Sequence, residues 1–553
     1  MPYFIFCIFN KFNRNTMRHF FKFGLCLLCL ALVRCQPPIH YDLVILNGRV
    51  FDAKTGSFHQ QDVAINGDRI VGLGSFLMNP ADRVIDADGL IVSPGFIDMH
   101  AHIEAIMRLP TAESFLKQGV TTVLGGPDGR GPSPMKDYLD SLETFDLGIN
   151  TAYLVGHNTV RRKVMGMENR EPSAEELAAM KAQVEEAMTS GAYGISTGLK
   201  YIPGAYSKID EVIALSEVAA KYDGIYTSHL REEGLGLIEG VQEAIEIGRE
   251  ADIPIILTHH KAIGRPMWGS SVKTLAMVDS ARKLGLDIMM DQYPYTASST
   301  GIAVLIPAWA MAGGQKAFKA RVDDPVTREK IIKEIMFNIE FDRGGADLVV
   351  VQFANVNWRL ELNGKTLKDW CIEEGLEPTF RNGAELVVKA QLKGGASCIF
   401  HAIGEEDVQR IMQHPMSMVA SDGGLVVPGR GHPHPRSYGT FPRVLGHYVR
   451  EKKIIELPLA LQKMTSIPAD RLGLNNRGYV EVDYLADLTL FDPETIIDKG
   501  TFEAPHQYPE GIAYVVVNGQ VTIDQGELTA QRAGRVLRKK LTKRSHSLAL
   551  TVQ

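Results

Sequence analysis

Three features of this 553-residue sequence predict an α/β fold, a (β/α)8 barrel of the TIM type carrying a small β-sandwich. Through the middle of the chain, apolar runs of strand length alternate with helical patterns, which is the order of βα units around a parallel sheet. Short β-rich runs broken by Asn-Gly and Gly-Asp stand at both ends, as hairpins require. Several of the middle runs finish in His or Asp, and the C-terminal ends of barrel strands are where barrel sites are built.

The elements follow in order. Residues 1–35 carry Lys11, Arg14, Arg18 and Lys22 ahead of an apolar run from Phe23 to Val33. A basic stretch followed by a short apolar one is a secretory signal, and the run is too short to span a bilayer as a helix. Leu32-Val33-Arg34-Cys35 resembles a bacterial lipobox with Cys35 as the acylated residue, although Arg34 replaces the usual small side chain. The chain is therefore expected to be exported, either periplasmic or lipid-anchored to a bacterial membrane through Cys35. Residues 36–93 and 475–537 supply the β-sandwich. Residues 94–474 form the barrel, with strands ending near His102, Leu124, His157, Leu199, His229, His260, Tyr293 and Asp422. A helix is expected from Ser173 to Ser190. The stretch 307–397 exceeds any ordinary βα connection and reads as an inserted subdomain over the barrel mouth. Residues 538–553 form a basic tail, expected to be solvated.

Composition narrows the function. The formal net charge of −6 offers no global attraction to a polyanion, and no nucleic-acid motif is present. Four of the six cysteines lie in the first 35 residues, so Cys371 and Cys398 make no disulfide framework and are expected as buried thiols.

The chemistry begins at His100-Ala-His102. Alternate residues of a strand project to the same side, so both imidazoles leave the strand end together. His229, His259, His260 and Asp422 stand at the ends of later predicted strands. Imidazole and carboxylate donors gathered on one rim suit zinc, and zinc with an open position suits hydrolysis. His157 either polarises a substrate carbonyl or braces the rim.

These motifs resemble the amidohydrolase superfamily, and within it the D-aminoacylase (N-acyl-D-amino-acid deacylase) family. The resemblance rests on Pro94-Gly-Phe-Ile-Asp-Met-His-Ala-His102, Ser196-Thr-Gly-Leu-Lys-Tyr, Ser228-His-Leu-Arg-Glu-Glu-Gly, Thr258-His-His-Lys261, Tyr293-Pro-Tyr, Ser421-Asp-Gly and His434-Pro-Arg436-Ser-Tyr-Gly. It implies zinc, one ion or two, on His100, His102, His229 and His259, with His260 the weaker candidate. It makes Asp422 the catalytic base that also approaches a metal. Arg436, Tyr293, Ser299 and Lys261 become substrate contacts, with the Arg436 fork on a carboxylate. The D-aminoacylases bridge their metals with a Cys after the second strand, whereas this chain has Gly125-Gly-Pro-Asp128-Gly there. Asp128 is either a replacement ligand or a turn residue. Lys200, at the end of the fourth strand, matches the position that hydantoinases and dihydroorotases carboxylate to bridge two metals, and is expected either as that bridge or as a substrate contact. The implied activity is zinc-dependent hydrolysis of N-acyl-D-amino acids. Alternatives are a dipeptidase or cyclic amidase of the same superfamily and, more remotely, a non-catalytic periplasmic binding protein.

Overall fold

The computed structural model describes residues 39–540. The signal segment, Cys35 and the end of the basic tail lie outside the described residues.

Eight central strands close on themselves by parallel pairing. The first runs in two pieces, Phe96–Asp98 and Ala101–His102; the second is Val120–Gly125; the third is again divided, Asn150–Tyr153 and Val155–Gly156. Gly194–Gly198, Ile225–His229, Ile255–Leu257 and Ile288–Gln292 follow as the fourth to seventh, and the eighth comprises Ser417–Val419 and Gly423–Gly424. Pairing passes from each strand to the next in this order, and Gly423 opposite Ala101 brings the eighth strand back to the first. Val120–Gly125, Ile225–His229 and Ile288–Gln292 are buried at every position, each beginning on an apolar residue, with His229, Asp291 and Gln292 standing towards the rim. Ile97, Leu124, Leu154, Ile256, Met289 and Met418 form one cluster drawn from strands all round the ring, so the barrel is plugged beneath its rim.

The helices pack outside. The predicted helix is found at Ala174–Thr189, opened by a capping box in which Ser173 and Glu176 satisfy each other's backbone N–H groups. Strand ends fall within about three residues of the expected ones. One differs in kind. His157 begins the helix His157–Met165 and does not end a strand.

The stretch expected as an insertion carries a small sheet that begins before residue 307. Ser298–Gly301, Val351–Asn355 and Ser397–Phe400 form an antiparallel three-stranded sheet, so the unit starts at Ser298 and not at Pro307. Polar Ser298-Ser-Thr-Gly301 lacks the apolar alternation of a strand and takes its register from Ser397–Phe400.

Strands from both ends of the chain join in one nine-stranded sheet, with Leu488–Phe491 antiparallel to Ile91–Pro94 as the seam. Leu43, Ile65, Ile85, Leu488 and Val516 share a core there. Cys371 and Cys398 are free and buried. The basic tail departs from expectation as far as it is described. Arg538 pairs with Asp140 (2.7 Å) and Glu143 (2.8 Å), which fixes it under the barrel.

Candidate metal centre

Barrel strands deliver their last side chains to one rim. His100 is fully buried, its ring 5.5 Å from that of His102 and 4.7 Å from that of His259. His229 Nδ1 and His259 Nε2 are 2.8 Å apart. Asp128 sits among all four. Its Oδ1 lies 3.5 Å from His100 Nε2, 3.6 Å from His229 Nδ1 and 3.3 Å from His259 Nε2, and its Oδ2 lies 3.5 Å from His102 Nε2. Asp422 Oδ1 is 3.2 Å from His102 Nε2 and 3.6 Å from His100 Nε2.

Two donor groups result, His100–His102–Asp128–Asp422 and Asp128–His229–His259, in each of which the ligand atoms lie within 4.8 Å of one another. Asp128 belongs to both. Asp128, His259 and Asp422 also share a backbone peculiarity, with φ of 54°, 37° and 48°. Non-glycine residues avoid this left-handed region unless their surroundings hold them there. Here Asp422 N donates to His100 O (2.8 Å) and His259 N to Asp291 Oδ1 (2.6 Å). All three side chains belong to the donor groups.

The donor chemistry fits a divalent cation. Both ring nitrogens of His100 are buried without a hydrogen-bond partner, an arrangement that a polar group tolerates poorly unless something else occupies the space they face. Burial and Lys261 oppose protonation of His259, yet Glu233 and Asp128 outweigh them and push it up to about 10. Burial likewise opposes ionisation of Asp422, but Arg436 and the neighbouring histidines hold it below the ordinary carboxylate value. The site thus gathers buried anions that call for positive charge.

The remaining expected residues separate clearly. Arg436 Nη1 lies 2.8 Å from Asp422 Oδ2, and its guanidinium stacks 4.7 Å over the Tyr293 ring. The Tyr293 hydroxyl is buried without a partner, and Ser299 lines the same cavity as Arg436. Lys261 lies 5.8 Å from the Tyr293 ring centre, but its amine is occupied by Glu233 Oε1 (2.5 Å) and His259 Nδ1 (2.8 Å), so it braces a histidine. Lys200 belongs to neither donor group, although it lines a small pocket with Asp128, His229 and His259. Its amine is paired with Glu232 (2.7 Å) and Asp342 (3.7 Å), and an ammonium held by two carboxylates is poorly placed to lose a proton and take up carbon dioxide. The residue that the two donor groups share is Asp128. His260 turns away to Thr274 Oγ1 (2.8 Å). His157 is bound to Glu211 (2.8 Å) behind the rim, fully buried, and faces no substrate space.

Three carboxylates escaped the sequence reading. Glu233 Oε1 is 3.1 Å from His259 Nδ1 and its Oε2 is 3.5 Å from His229 Nε2, so it orients two donors from behind. Asp98 Oδ1 accepts from His100 N (3.1 Å) and Ser421 N (2.9 Å), pinning the first strand to the eighth. Asp291 anchors His259. For Asp98 and Asp291 the available signal was a carboxylate at or next to a strand end in an otherwise apolar run; Glu233, four residues beyond its strand, carried no such mark.

The amidohydrolase family model matches residues 83–523. The chain belongs to the amidohydrolase family. A D-aminoacylase of Alcaligenes xylosoxydans xylosoxydans is 34% identical over 90% of this chain and 97% of that relative. An N-acyl-D-glutamate deacylase from Bordetella bronchiseptica, solved with zinc and a phosphonate mimic of the tetrahedral intermediate, is 32% identical, with a TM-score of 0.77 over 90% of this chain and all of that one. A D-aminoacylase structure concerned with a binuclear metal centre superposes equally well, at 34% identity, a TM-score of 0.77 and the same coverage.

Proposed function

We propose that this amidohydrolase cleaves the amide bond of N-acyl-D-amino acids, releasing a carboxylate and a free D-amino acid, at a zinc centre held by His100, His102, Asp128, His229, His259 and Asp422. The observation that carries the reading is the pair of donor groups joined by Asp128, with Asp422 beside them and Arg436 2.8 Å from Asp422. Zinc bound there supplies Lewis acidity, which polarises an amide carbonyl and makes water a competent nucleophile near neutral pH.

The protein's own groups do the rest. Asp422, ionised and at the rim, accepts the proton of the attacking water and returns it to the leaving nitrogen. Arg436 and the unpartnered Tyr293 hydroxyl receive the substrate carboxylate, which fixes the face of the stereocentre turned to the centre. Glu233 and Lys261 keep His229 and His259 in place. Export is part of the same reading, supported by the basic-then-apolar order of residues 1–35, with Cys35 as the point of lipid attachment.

Purified zinc-loaded protein is expected to hydrolyse N-acetyl-D-amino acids, to leave their L forms, L-D dipeptides and hydantoins largely untouched, and to carry zinc. Asp422→Asn is expected to keep most of its zinc while losing about 10²–10⁴-fold in kcat. Preferential turnover of hydantoins, or a fully active Asp422→Asn protein, overturns the reading.

A further inference from the structure

The cavity above the metal donors measures about 1100 Å³. Pockets for drug-sized ligands run from about 300 to 1,000 Å³, so an N-acetyl amino acid fills only part of this one. Its walls are also unequal in charge. Arg108, Arg130, Arg162 and Arg430 all line it, and all four are exposed. They come from the segments that follow the first, second, third and eighth barrel strands. Those strands are consecutive around the ring, so the arginines form one arc of the mouth. The facing wall, from the insertion, offers Ser299, Thr300, Asn355, Asn357 and Ser397 and no charge.

The arc has little to neutralise it. Among the described residues, the exposed carboxylate on this wall is Glu104; its Oε1 is 3.2 Å from His102 Nδ1, and it also offsets part of the charge of Arg130, leaving Arg108, Arg162 and Arg430 without a carboxylate of their own. Arg130 lies over Tyr201, 5.5 Å from the ring centre. The chain as a whole is acidic, at −6, so four guanidinium groups gathered here do not reflect its background composition. Guanidinium forks match carboxylates in shape and charge.

We infer that the acyl half of the substrate carries one or more carboxylates, which the arc of Arg108, Arg130, Arg162 and Arg430 binds. This rests on the deacylase reading above. With the α-carboxylate at Arg436 and the scissile amide at the donor groups, the acyl chain is the part that extends outward to the mouth.

The test compares N-succinyl-D-alanine with N-succinamoyl-D-alanine, its uncharged isostere, and with N-acetyl-D-glutamate, which puts the extra carboxylate on the side chain. The succinyl substrate is expected to lead its isostere at least tenfold in kcat/KM at low salt, with the gap closing as ionic strength rises. Arg162→Gln and Arg430→Gln are each expected to narrow that ratio, and Arg→Lys at the same positions to restore much of it. Equal rates for succinyl and succinamoyl substrates, a ratio unmoved by the Gln variants, or a gain found only with N-acetyl-D-glutamate overturns the inference. If no N-acyl-D-amino acid is turned over, the deacylase reading fails separately. The succinyl and succinamoyl compounds are then compared by calorimetric binding, where equal affinity removes the arc's role.

Discussion

A carboxylate can bridge two cations with its two oxygens, and Asp128 is placed to do so while also turning the chain. Its φ of 54° is followed by Gly129 at 72°, where an added Cβ would come within 2.1 Å of Asn158 Oδ1. The turn and the donor position are therefore one feature, which is why letters alone left the two readings open. The histidines were easier to read, because His-Ala-His at a strand end marks a donor pair, although His100 falls in the bend between the two pieces of that strand. Lys200 misled for the opposite reason. Its position along the chain suits a bridge, but its partners Glu232 and Asp342 come from the fifth-strand loop and the distant insertion. Asp128→Ala is expected to lower bound zinc below that of the parent and to reduce kcat/KM at least about 100-fold, as loss of a ligand or its support does. Elemental analysis alongside kinetics checks this, and a variant with full zinc and full activity removes Asp128 from the centre.

Among elements, the helix His157–Met165 shows how a charged group can serve the frame alone. Arg161 and His157 lie on adjacent turns, both fully buried, and both bond to Glu211 on the helix Ile209–Ala220. Arg161 adds a bond to Arg170 O (2.6 Å), which ties in the following loop. The sequence pattern placed His157 at a strand end, and it could not reveal that this histidine had its partner 54 positions away. Removing the carboxylate strands a buried guanidinium, and breaking a buried pair from one side costs about 3–5 kcal/mol. Glu211→Ala is accordingly expected to lower the unfolding midpoint by several degrees without changing zinc affinity in the protein that stays folded. A loss of activity at unchanged thermal stability would return His157 to the catalytic site.

At the scale of the whole molecule, the two ends of the chain and the barrel are locked through buried polar groups that no local pattern announces. Asp487 takes bonds from Arg477, from Asn150 Nδ2 (3.1 Å) and from Asn518 N (2.7 Å), joining the terminal sheet to the third barrel strand. Lys463 does a similar task under the eighth strand, where its amine donates to Ser417 O (2.7 Å) and to His414 O. Two carbonyls match the two N–H bonds of a neutral amine, and burial lowers this lysine from 10.5 to about 7. The sign of the linkage follows. Between about pH 7 and 10.5 the unfolded chain binds this proton more than the folded one, so the cost of burying the lysine is full below about 7 and is relieved as pH rises. Each pH unit inside the window is worth up to about 1.4 kcal/mol. Urea midpoints at pH 7, 8 and 9 are expected to show the native chain gaining stability relative to Lys463→Met, which lacks the titrating group. Subtracting one curve from the other cancels every titration the two proteins share, so parallel curves would mean that Lys463 stays charged in its buried seat.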